Sequence, residues 1–208
     1  MSKPPHSKPA SPASGSPVLD AWALVTNLEN QGMDAHATLH NTAPHITPTA
    51  PLSADGIPLI PRDWVAGLPP DKIAAIFYDA LLSAAGRERA DWDLMCQRFH
   101  DLPPPWRLVY TVCSFQNQVD NGGLDQFFYN GQGEFDDDTE RDLALLGTGK
   151  LLALFVAARR IYYAAPPDRA DRIPELEALT DEFYAQPKAP YHLVGEHILS
   201  NQGIYCCD

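Results

Sequence analysis

Basic side chains are scarce in this chain. Its 208 residues hold 15 Lys and Arg against 27 Asp and Glu, a net charge of −12 with a pI near 4.8. Direct DNA or RNA binding needs a basic footprint, so that class is set aside, as is docking on an anionic membrane. Cysteine is also sparse: Cys96, Cys113, Cys206 and Cys207 match neither a zinc spacing nor the framework of a small disulfide-rich domain. The longest apolar run, Leu151 to Ala158, falls well short of the roughly 20 residues of a membrane helix. The opening MSKPPHSKPA lacks a signal-type apolar core, so a cytoplasmic protein is expected. No Gly-x-Ser-x-Gly, phosphate-binding glycine loop or His-Glu-x-x-His occurs. The chain is therefore read as a non-enzyme without a cofactor.

What is abundant is proline, and its distribution divides the chain. Residues 1–61 hold ten of the twenty prolines, among many Ser, Thr and Ala. Such a stretch buries too little apolar area to offset its ordering entropy and reads as a flexible tail. One short amphipathic helix interrupts it near 17–31. Ser16 serves as N-cap, Pro17 as first helical residue and Gly32 as stop, and Val18, Ala21, Trp22, Val25 and Leu28 share a face.

Residues 62–208 read as one all-α, multi-helix domain. Apolar residues recur at helical spacing in Ile73/Ile76/Phe77/Ala80/Leu81, in Trp92/Met95/Cys96/Phe99, in Trp106/Val109/Tyr110/Cys113 and in Leu176/Leu179/Phe183. Leu151, Leu154, Phe155, Ala158, Ile161 and Tyr162 mark the expected central helix, about Lys150 to Ala164. Asn121-Gly122-Gly123 should end the helix before it, because glycine tolerates the left-handed conformation. A short helix over Leu124 to Tyr129 should follow and close at Asn130. No alternating strand pattern of four or more residues stands out.

Acids crowd the centre of this domain. Asp120, Asp125, Glu134, Asp136, Asp137, Asp138, Glu140 and Asp142 are opposed within the run only by Arg141, a local charge of −7. Asp137 and Glu140 have the spacing of a capping box. The pairs Asp136/Glu140 and Asp138/Asp142 stand four apart, where like charges cost roughly 0.2–0.5 kcal/mol each in a helix. Capping does not account for the surplus acids, and these eight are the candidate partner-binding residues. Glu134, Asp136, Asp138 and Glu140 alternate as calcium ligands do, but the glycine and terminal glutamate of an EF-hand loop do not fall in place. Cys96 and His100, four apart, have helical metal-ligand spacing, although Cys96 also lies on an apolar stripe and fits a core position. Cys206 and Cys207 read as a frayed end.

The block Gln118-Val119-Asp120-Asn121-Gly122-Gly123-Leu124-Asp125-Gln126-Phe127-Phe128-Tyr129-Asn130 resembles the signature of a bacterial DNA-mimic (DMP-nineteen-like) family, over an expected span of residues 70 to 200. The shared positions are Val119, Asn121, Gly122, Gly123, Gln126, Phe127, Phe128 and Asn130; Gln118, Asp120 and Leu124 depart from the pattern. The resemblance implies an all-helical, often dimeric protein whose acidic face stands in for DNA phosphates and occupies a basic DNA-binding protein such as a transcription factor. Two other readings fit the same charge: an immunity or antitoxin-type inhibitor of a basic toxin or nuclease, and an enzyme using the carboxylates directly or through a metal.

Overall fold

A computed structural model describes residues 50–85, 91–131, 133–166 and 173–207, all within the compact unit Ile46–Asp208. The element order is β1 (Ile60–Pro61), α1 (Arg62–Val65), α2 (Pro70–Ala85), α3 (Trp92–His100), α4 (Pro104–Gly131), α5 (Asp136–Leu145), α6 (Gly149–Ala164), α7 (Pro174–Tyr184), α8 (Pro190–Ser200), α9 (Gln202–Tyr205) and β2 (Cys206–Cys207). The all-α reading holds. Four helices, α2, α4, α7 and α8, begin on a proline, whose fixed φ and missing N–H suit the first helical position. Asp91 caps α3 by accepting from the Leu94 N–H at 3.1 Å. The segment 17–31, expected to form an amphipathic helix, lies outside the described residues.

The boundary expected at residue 61 is displaced. Ile60 is fully buried, and Ile60–Pro61 pairs in parallel with Cys206–Cys207. Residues 50–61 are thus part of the fold, and the two final cysteines belong to a strand instead of a frayed end. Proline content is a poor guide here because Pro58 and Pro61 sit in a bridge and a two-residue strand, where no long hydrogen-bond ladder is needed.

Helix α4 is the central element, not the helix over residues 149–164. Twelve of its side chains are buried against four on α6. Phe115 explains much of this: its ring meets Phe127, Phe155 and Phe183 edge-on at 5.0, 5.4 and 5.6 Å. One side chain thereby joins both halves of α4 to α6 and α7, each aromatic pair adding about 0.5–1.5 kcal/mol beyond its area. On the opposite flank α8 lies hard against α2. A Cβ at Gly195 would come within 1.8 Å of the Pro70 carbonyl oxygen, so only glycine permits that approach. Among the described residues no helix is long and apolar enough to cross a membrane.

Candidate functional site

The Asn-Gly-Gly turn bends α4 without ending it. Gly122 (φ −167°, ψ 19°) and Gly123 (φ 81°, ψ −177°) leave helical geometry, and the helix resumes to Gly131. Gly123 occupies the left-handed region, and a Cβ there would meet Thr180 Oγ1 at 3.1 Å. At Gly122 a Cβ would run into the Gln126 side chain at 2.8 Å.

A kink frees backbone groups, and neighbouring side chains take them up. The Leu124 N–H donates to Thr180 Oγ1 at 3.1 Å, while that hydroxyl donates to the Leu176 carbonyl at 2.7 Å. The Tyr184 hydroxyl donates to the Val119 carbonyl at 3.0 Å. Asn130 Nδ2 donates to Gln118 Oε1 at 2.7 Å, a bond that spans the bend. The family-like block is therefore a structural corner: its glycines bend, its amides clasp, and Phe127 and Phe128 anchor it in the core.

Between this corner and α7 lies a groove of about 440 Å³. Asp120 and Asp125 from α4 and Glu177 and Asp181 from α7 line it, beside Leu176 and the exposed ring of Tyr184. No Lys, Arg or His is among the described residues lining it. Gln116 Nε2 donates to Asp120 Oδ2 at 3.3 Å and holds that carboxylate. Burial, then the nearby Asp120 carboxylate, raises the pKa of Tyr184, which keeps its hydroxyl protonated. Glu177, Asp181 and Tyr184 were not singled out in the sequence. The signal was present, since residues 177, 181 and 184 fall on one face of a helix.

The acids of α5 behave differently. Asp136 and Asp142 are only 1% and 3% exposed, so they cannot present carboxylates to a partner, contrary to the sequence expectation. Tyr163 donates to Asp136 Oδ2 at 2.8 Å, and Arg159 stands 3.5 Å from the same oxygen. Thr111 donates to Asp142 Oδ2 at 2.6 Å, and Arg141 bonds its other oxygen at 2.9 Å. Burial raises both carboxyl pKa values above the usual range, against the opposing pull of these donors.

The remaining α5 acids are matched to cations of α5 itself and of other elements. Arg159 reaches Asp137 at 2.6 Å and Glu140 at 2.9 Å. Arg141 bonds Asp138, Arg107 stands 3.6 Å from it, and His100 lies 3.5 Å away. His100 also meets Glu134 at 2.9 Å. Arg107 and Arg159 thus bring two positive charges to the run, from −7 to −5, a proximity the sequence did not show. Nor do Asp137 and Glu140 form a capping box: α5 starts after Phe135 without a side-chain cap bond. Cys96 packs in the core, where burial first and Glu134 next push its pKa up to about 12, while His100 bonds acids instead of sharing a metal with it. Among the described residues no group of three or more His, Cys, Asp or Glu is arranged to hold a metal ion.

The family model described as DMP19-like protein matches residues 100–201. That segment is similar to the DMP19-like family. The DMP19-like segment contains α4 to α8 entire, and so both the groove and the paired acids of α5. It begins later than the residue 70 expected from the sequence, although α2, outside the match, packs against α8 within it. No curated protein and no solved structure matches the chain.

Proposed function

We propose that this DMP19-like chain is an acidic interaction protein that occupies the DNA-binding surface of a basic DNA-binding protein, and that the groove beside Gly122–Gly123 is its principal contact. The observation that carries the reading is the convergence of Asp120, Asp125, Glu177 and Asp181 on one concave surface. Duplex DNA carries about one charge per 1.7 Å of axis. Carboxylates four apart on a helix, such as Glu177 and Asp181, have Cβ atoms about 5–6 Å apart, close enough to meet neighbouring Lys and Arg side chains of a DNA-binding face. Hydrogen bonds from Thr180 and Tyr184 to the corner's backbone hold α7 on α4, which lowers the cost of ordering these acids on binding. The chain acts by occupation and makes no bond, so it is read as a binding protein and not an enzyme. Asp137, Glu140 and Glu134 extend the negative surface, partly offset by Arg159.

A basic DNA-binding protein recovered from the host on immobilised chain supplies the test. The purified pair should compete with duplex DNA, and its affinity should fall steeply from low to high salt. An affinity that barely changes with salt, or a ternary complex with DNA still bound, would rule mimicry out.

A further inference from the structure

The four buried residues of α5 are Asp136, Thr139, Asp142 and Leu143. Its inner face is therefore mostly polar, whereas α2 buries Ile73, Phe77 and Leu81 and α4 buries Phe115, Phe127 and Phe128. Two atoms of that inner face, Asp136 Oδ1 and Thr139 Oγ1, are buried with no hydrogen-bond partner among the described residues. The helix is flanked by Gly133 (φ 84°) and Gly147 (φ 69°), left-handed glycines of the kind that absorb large backbone changes at low cost. Few apolar contacts and a glycine at each end are the marks of a segment that opens before the rest.

We propose that α5 is a latch: a helix that opens as a unit while the remaining fold stays intact, and whose closure is governed by its two buried carboxyl groups. Asp136 is faced by Tyr163 and Arg159 from α6 and by Asp137 and Glu140 of its own helix. Asp142 is faced by Thr111 of α4 and by Arg141 and Asp138 of α5, and it lies near Tyr205 of α9. Arg107 of α4 and His100 of α3 reach Asp138. Burial raises both buried carboxyls, so the closed state binds more protons than the open one. Closure is then strongest at and below the ordinary carboxylate range and weakens as pH rises through the raised values. Opening would part Asp137 and Glu140 from Arg159, which changes the charge that α5 presents. The latch stands whether or not the groove binds a partner.

Hydrogen exchange read by mass spectrometry on the full chain tests it. At about pH 8, peptides covering residues 133–147 should exchange at least about tenfold faster than those of α2 and α8, after correction for intrinsic rates. That gap should narrow several-fold at about pH 4, in the ordinary carboxylate range. The D136N/D142N protein should hold the same narrow gap at both pH values, and if the pair does not fold, D136N and D142N singly should each reduce the pH dependence. Equal protection of α5, α2 and α8, or a pH dependence that survives in the Asn variants, would overturn the latch.

Discussion

At the kink, Asp120 and Asp125 share a groove with Glu177 and Asp181; on α5, Asp136 and Asp142 point inward and Asp137 and Glu140 share Arg159. Both sets come from a single acidic run plus one later helix, yet their energetics differ. The groove carboxylates line a solvated surface and carry little of the fold. The buried pair is desolvated, and its stability rests on specific donors. Local net charge therefore says how many acids a segment has, and packing decides which of them a partner can meet.

The sharpest break of that comparison is Arg159→Gln. It strips the cation from Asp136, Asp137 and Glu140 together, and because the guanidinium is partly solvated the expected loss is about 1–3 kcal/mol, read by urea denaturation. Thr111→Val removes the hydroxyl on Asp142 and should cost about 1–2 kcal/mol by the same measurement. Gly123→Ala forces a side chain into a left-handed position against Thr180, at about 1–2 kcal/mol, and should loosen the groove as well. Asp136→Asn sharpens the contrast through its sign. The raised carboxyl makes the parent lose stability as pH climbs above the usual carboxylate range. The Asn protein should lack that decline and melt slightly higher near neutral pH, by at most about 1 kcal/mol. Smallest of all, Asp181→Asn in the groove should move stability by no more than about 0.5 kcal/mol while weakening the partner.

Much of the helical frame was legible in the sequence. Periodic apolar stripes and proline starts locate α2, α3, α6 and α7, because those signals are local. The kink was visible as Asn121-Gly122-Gly123, but its consequence was not: Thr180 and Tyr184 meet the freed backbone groups from about 60 residues away, so α4 continues past the bend. The site was half legible. Asp120 and Asp125 were named, while Glu177 and Asp181 required knowing that α7 packs beside the corner. The inward turn of Asp136 and Asp142 runs against the usual exposure of aspartate, and it depends on Thr111, Tyr163 and Arg159, which no short-range spacing connects to α5. Ile60 gives no local signal because it stands alone among prolines and finds its partner only at Cys206.

The central claim is that the corner groove, and not α5, meets a basic partner. Two neutralised proteins separate the alternatives in a binding titration with the recovered DNA-binding protein: D120N/D125N/E177Q/D181N, and D136N/D137N/E140Q/D142N. The groove variant should keep the parent's melting temperature and lose at least about tenfold in affinity, or 1.4 kcal/mol, while the α5 variant should shift stability and leave affinity within a few-fold. A groove variant that binds as the parent does, beside an α5 variant that no longer binds, would contradict the account.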